Sequence, residues 1–141
     1  SPGVASFEKQ AAASIRTGLI ITIDYGYQAE EYYHPNRSCG SLQTYYKHQK
    51  SDNPLEHPGK LDITCHINFS QLAEELLVAG FAEPIVSTQA SYLTLYAREW
   101  LIDIETRFDE LEQAPALLRQ FQTLTHPAML GTKFTVLEMI R

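Results

Sequence analysis

The sequence predicts an α/β domain, one sheet with helices packed on it. Leu19, Ile20, Ile21 and Ile23 form an apolar, β-branched run that ends in Asp24 and a glycine flanked by tyrosines, Tyr25-Gly26-Tyr27. Further on, a helix-like segment beginning at Asn68 is followed by a second strand-like segment over residues 83–89, the strand–helix–strand alternation of α/β folds. The closing KFTVLEMIR reads as a last strand. Ligands in open α/β sheets bind beyond the carboxyl ends of the strands, which makes Asp24, Tyr25, Gly26 and Tyr27 the first candidates for a site.

A chain of 141 residues is long enough for one domain with a real core and too short to argue for two. The formal charge of −6, with Lys and Arg scattered, argues against a nucleic-acid or anionic-membrane partner. No apolar run approaches the roughly 20 residues that span a bilayer, and the first residues lack the pattern of a secretory signal. Cys39 and Cys65, the only cysteines, do not make a disulfide framework, which fits a reducing compartment. Ser1 and Pro2 read as a helix cap and first helical position, so the chain reads as a piece of something longer.

The first helix is expected over residues 2–17. Val4, Phe7, Ala11 and Ile15 would form its buried face, Gly18 its stop, and it would pack on the strand that follows. That strand, residues 19–24, is polar-poor and should be covered on both faces. Residues 28–61 read as a long loop with little periodicity, and such loops are usually functional or disordered. Tyr32, Tyr33, Tyr45, Tyr46, His34 and His48 suit a loop lining a site. The alternative is a surface flap whose tyrosines only pack on the sheet. Residues 62–67 read as a short extended piece. Asn68 with Gln71 makes a capping-box start for a helix carrying Phe69, Leu72, Leu76 and Ala79, with Gly80 as its stop. From Ser91 one helix carries Leu93, Ala97, Trp100, Ile104, Phe108 and Leu111, a stripe better read as core than as a cofactor box. A second helix runs from about Pro115 to Thr125, where His126-Pro127 ends it, so residues 91–125 form a helical segment.

No CxxC, HxxxH or HExxH spacing supports a metal centre, and neither a nucleophile elbow nor a phosphate-binding glycine loop is present. What remains is a polar and aromatic set: Asp24, Tyr25 and Tyr27 after the strand, Tyr45 and His48 in the loop, then Asp62, Thr64 and His66. Gathered in one cleft, these groups could orient a cationic or hydrogen-bonding substrate and accept a proton from it. Taken singly, each has an ordinary explanation as a turn cap, a core histidine or a packing tyrosine.

Several motifs in order are more specific. IDYGY, EEYYHPNR, Gly40-Ser41-Leu42 with Tyr45 and His48, NPLEHPGKLDITCHINFS and the closing HPAMLGTKFTVL together resemble the C-terminal half of the MidA family of S-adenosylmethionine-dependent methyltransferases. The resemblance covers the whole chain and is strongest over residues 18–69. It implies the C-terminal part of a class I, Rossmann-like methyltransferase sheet: strand five at residues 19–24, strand six near 83–89, and strand seven at 133–140 inserted antiparallel between them, with flanking helices. A mitochondrial member is similar in role to a protein arginine methyltransferase acting on a respiratory complex I subunit during assembly, so by analogy the acceptor is a protein arginine.

The chain departs from the family pattern at Asn68, where an acid is usual, at Leu130, where methionine is usual, and at Cys65, where a small residue is common. On this resemblance residues 1–141 are the C-terminal portion of one methyltransferase domain. The N-terminal half, which binds S-adenosylmethionine, lies upstream, and no cofactor-binding residue falls in this chain. Strand five would then expose an edge that invites pairing. The expected partners are that N-terminal half, a protein substrate and a second copy of the chain. The expected location is the cytoplasm of a bacterium or the mitochondrial matrix of a eukaryote. From residue chemistry, Asp24 and His66 are the candidate catalytic groups, and Tyr25, Tyr27, Tyr45, His48 and Asp62 the candidate substrate-binding ones. The rival readings are a non-catalytic assembly protein that grips a partner with its tyrosine-rich loop and, more remotely, a metal-dependent hydrolase.

Overall fold

A computed structural model of the chain describes residues 2–38, 40–47, 49–51 and 53–141. It divides into two compact units, Ser1–Ser14 with Tyr25–Gly80, and Ile15–Asp24 with Phe81–Arg141. Among the described residues, no helix is long and apolar enough to cross a membrane.

The first unit begins with helix α1, Pro2–Ser14. Strand β1, Leu19–Asp24, belongs to the second unit, and the chain re-enters the first at β2, Gly26–Tyr27. There follow α2, Ala29–Tyr32, a 3-10 turn at Pro35–Arg37, β3, Leu42–Tyr46, β4, Gln49–Ser51, β5, Asp62–Cys65, β6, Ile67–Asn68, and α3, Phe69–Val78. Residues 28–61 are therefore not the featureless loop expected. They form most of an antiparallel sheet of order β4-β3-β5. Sequence reading misses β3 because Leu42–Tyr46 lacks a clean polar–apolar alternation, and because the connection to β4 starts with Lys47 at φ +50° where glycine or asparagine would signal a hairpin. The capping expectation holds: Asn68 Oδ1 accepts from the Gln71 backbone N–H at 3.1 Å, and Gly80 follows the helix with φ +92°.

In this unit α1 packs on α3. The expected α1 face is rotated. Phe7 is 65% exposed, whereas Glu8 and Ala12, one helical turn apart, are buried. Alanines at 5, 11 and 12 give the helix a thin side, and close packing there takes the glutamate in. Both Glu8 carboxyl oxygens are buried without a hydrogen-bond partner among the described residues, and burial, with the Glu75 carboxylate adding to it, pushes the group up from 4.5 to about 7. Gly26 fixes the other side of the unit. A Cβ at this position would collide with the Ile67 carbonyl oxygen and lie 2.6 Å from the Phe69 ring, so only glycine allows β2 to lie parallel against β6 at the start of α3.

The second unit adds β7, Ile85–Thr88, α4, Gln89–Tyr96, α5, Arg98–Thr106, α6, Ala114–Thr125, and β8, Thr135–Ile140. Its sheet has the order β1-β8-β7, with β8 antiparallel to both neighbours. The last strand is thus inserted between the other two, the arrangement the resemblance implies. Four consecutive residues of β8, Val136 to Met139, are buried, as suits an inner strand. β1 departs from expectation. Leu19, Ile21 and Ile23, which share one face of the strand, each remain 44–46% exposed, so that face is only partly covered. The buried Glu138 carboxylate accepts from the Tyr96 hydroxyl at 3.1 Å, and the Tyr92 phenol is pushed up to about 12 by burial and by the neighbouring Glu138 carboxylate.

The single helix expected from Ser91 is two. Ala97, at φ −89° and ψ 4°, ends α4 and begins α5, so the periodic stripe crosses a break. Of that stripe only Ile104 is fully buried, while the half-exposed Trp100 ring packs against Phe121 of α6 at 5.7 Å. α6 itself ends as expected, at His126.

Two outcomes are expected of this packing. Between 4.5 and about 7 the folded protein holds a proton on Glu8 that the unfolded chain has released, so that stabilisation is complete below the lower value and is lost as pH rises through the upper. Urea unfolding at about pH 5 and about pH 8 should show Glu8→Gln gaining stability relative to wild type at the higher pH; parallel behaviour at both would mean the carboxyl is not coupled to folding. Gly26→Ala should cost about 1–3 kcal/mol in the same assay, from overpacking against Phe69 and Ile67.

Candidate functional site

The candidate site lies wholly in the first unit. Parallel pairing of β2 with β6 sets Gly26 beside Ile67 and Tyr27 beside Asn68, and the Ile67 N–H donates to the Tyr25 carbonyl at 2.9 Å. The tyrosines on either side of Gly26 are thereby held next to His66. Antiparallel pairing of β3 with β5 sets Gln43 opposite Thr64 and Tyr45 opposite Asp62, so these four side chains share one face of the sheet. Between the two arrangements opens a cleft of about 280 Å³ lined by Tyr25, Gln43, Tyr45, Thr64, Cys65 and His66.

The lining is neutral and amphipathic. The Tyr45 hydroxyl donates to Gln43 Oε1 at 2.6 Å, which fixes the phenol along the strand. The imidazole of His66 is half-buried. Its Nε2 lies 3.5 Å from the Tyr27 hydroxyl, the two rings are 4.8 Å apart between centroids, and its Nδ1 is buried without a hydrogen-bond partner among the described residues. Behind Tyr27, the Arg37 guanidinium stands 3.7 Å over the ring centroid. Arg37 is tethered to Glu31, with Nη2 donating to Oε1 at 3.0 Å and Nε to the backbone carbonyl at 3.1 Å. Chemically, the cleft can receive a planar or hydrogen-bonding group between phenols and offer it one imidazole as proton acceptor or donor.

Of the residues expected from sequence, Tyr25, Tyr45 and His66 come together in the cleft, as does Thr64. Tyr27 touches His66 without lining the cleft, and Asp62 sits opposite Tyr45 on the exposed strand β5. Asp24 ends β1 in the second unit, opposite Thr135. His48, like Cys39, lies outside the described residues. Sequence reading passed over Gln43 and Arg37. Gln43 was findable only through the pairing of residues 42–45 with 62–65, and Arg37, six residues from Glu31, sits in an irregular segment where no periodicity marks it.

Comparison with known proteins gives a family. The model of the family described as "Putative S-adenosyl-L-methionine-dependent methyltransferase" matches residues 1–87, more than half of the chain. No curated protein matches it. Two solved structures from Burkholderia thailandensis are similar. One, "an uncharacterized ACR, COG1565 superfamily protein", is 29% identical with a TM-score of 0.78, over 97% of this chain and 36% of that one. The other, "a COG1565 superfamily member and likely methyl transferase", is bound to S-adenosyl-homocysteine; it is 29% identical with a TM-score of 0.77, over 97% of this chain and 35% of that one. The chain thus spans about a third of the length of these neighbours.

The helix start beside the cleft gives a prediction. Asn68→Ala removes the acceptor for the Gln71 N–H and should cost about 1 kcal/mol, whereas Asn68→Asp should stay within a few tenths, both read from denaturant midpoints.

Proposed function

This chain belongs to the S-adenosyl-L-methionine-dependent methyltransferase family whose model its residues 1–87 match, and on that footing we propose that it is the acceptor-side, C-terminal part of a protein arginine methyltransferase of the MidA type. The observation that carries the reading is the S-adenosyl-homocysteine in a solved neighbour to which nearly all of this chain aligns. In the proposed numbering, β1, β8 and β7 are strands five, seven and six of the class I sheet, a reading supported by the inserted antiparallel position of β8.

The residues present fit the acceptor better than the donor. Small-molecule sites run on the order of 300–1,000 Å³, so a cleft of about 280 Å³ suits the end of a side chain. The chain also carries no glycine-rich cofactor loop. The methyl-donor site is therefore assigned to the remainder of the full-length protein. S-adenosylmethionine, when bound, supplies a methyl group on a sulfonium centre. The part of this chain is to hold the acceptor nitrogen in line and to take its proton. Tyr25 and Tyr45 offer faces on which a guanidinium stacks, Asp62 offers a carboxylate beside Tyr45, and the His66 imidazole takes the proton that the nitrogen gives up. Asp24, which ends β1 in the second unit, is nominated for orientation by residue chemistry alone.

The test uses full-length protein. Titration calorimetry should show S-adenosylmethionine binding, and a labelled methyl group should pass to an arginine peptide and not to its lysine counterpart. His66→Ala should lower kcat about 100-fold with donor affinity retained. If His66→Ala and Asp24→Asn both turn over like wild type, neither belongs to the reaction. An absence of donor binding would favour the assembly-protein reading.

A further inference from the structure

The geometry points to Arg37 as a positioning residue that holds the Tyr27 ring against the His66 imidazole. The inference rests on the proposed role of His66 as proton acceptor.

Tyr27 reaches His66 with little margin. Its hydroxyl is 3.5 Å from Nε2, the outer limit of a hydrogen bond, and a ring displacement of a few tenths of an ångström would break the contact. Tyr27 sits on a strand of only two residues, so the sheet alone does little to fix its ring. Arg37 supplies what is missing. Its guanidinium covers the ring at 3.7 Å and is itself fixed at two points by Glu31, through the carboxylate and through the backbone carbonyl of α2. Because one of those anchors is main chain, the fork remains held even though the Glu31 carboxylate is 61% exposed.

The consequence for His66 is a choice of proton position. With Nε2–H donating to the Tyr27 hydroxyl oxygen, the neutral ring keeps its lone pair on Nδ1, the nitrogen with no hydrogen-bond partner among the described residues, which can then take the acceptor's proton; with the contact broken, either nitrogen can carry the ring proton. Arg37, which touches neither the cleft nor the imidazole, would thus decide which nitrogen is basic. The stack and fork require a planar guanidinium, and an ammonium of the same charge cannot reproduce them.

The experiment compares Arg37→Ala, Arg37→Lys, Tyr27→Phe and the Tyr27→Phe/Arg37→Ala double variant in full-length protein, by nitrogen NMR of the His66 imidazole and by steady-state kinetics. Expected are a single tautomer in wild type and a mixture in all four variants. kcat should fall about tenfold in both Arg37 variants with the KM for S-adenosylmethionine unchanged, and Arg37→Ala should add nothing on the Tyr27→Phe background. Wild-type imidazole signals in Arg37→Lys, or a full additive effect in the double variant, would overturn the inference. Should the full-length protein transfer no methyl group at all, the functional reading fails, while the imidazole spectra still decide the role of Arg37.

Discussion

The close approach at Gly26 is the constraint on which the candidate site depends. Two residues of β2 lie against two of β6, a pairing too short to be stable by hydrogen bonding alone. It persists because the buried Phe69 ring and the Ile67 carbonyl occupy the space a side chain on residue 26 would need. The same few residues carry three tasks. Asn68 is at once the strand partner of Tyr27 and the cap of α3, Phe69 is both the first residue of that helix and the wall against Gly26, and His66 precedes them at the mouth of the cleft. The backbone of the tyrosines on either side of the glycine is therefore set next to His66, while the Tyr27 ring itself is held by the Arg37 guanidinium.

The second unit is held differently. Its sheet is organised around β8, whose side chains are buried on both sides of the pleat and whose ends are tied into the rest of the unit. Arg141 and Gly18 exchange backbone hydrogen bonds at 2.9 and 3.0 Å beyond the β1 ladder, and the buried Gln89 amide donates to the Leu124 carbonyl at the end of α6. A carboxylate in such a strand is costly unless satisfied. Glu138 has the Tyr96 hydroxyl on one oxygen, while the other is buried without a hydrogen-bond partner among the described residues.

Much of this was legible wherever one residue determines a local geometry. The cap at Asn68, the stop at Gly80, the end of α6 at His126 and the strands at residues 19–24, 85–88 and 135–140 each follow from a side chain acting on its own neighbourhood. Features set by distant partners were not legible. β3 becomes a strand because β4 and β5 pair with it, and its residues alone do not announce it. The face of α1 is chosen by α3, which accepts the slim Glu8–Ala12 side and leaves Phe7 out. The break at Ala97 carries no glycine or proline to mark it. In the site, the residue types Tyr25, Tyr45 and His66 were visible, while Gln43 and Arg37 acquire meaning only through the strand register and the stacking on Tyr27.

The sheet of order β4-β3-β5 also constrains how the cleft can vary. Gln43, Tyr45 and Thr64 share the row that faces it, while Leu42, Thr44 and Ile63 occupy the alternate row, from whose end Cys65 also reaches the cleft. A single-residue insertion or deletion within β3 or β5 would move that strand's cleft-facing residues to the other face and bring in members of the alternate row, such as Leu42 or Thr44 for Gln43 and Ile63 for Thr64. A change of length in the connection from β4 to β5 leaves that parity untouched, since β4 is an outer strand paired only with β3 among the described residues. Length variation in that connection is thus compatible with an unaltered cleft, whereas a change of length within β3 or β5 is not.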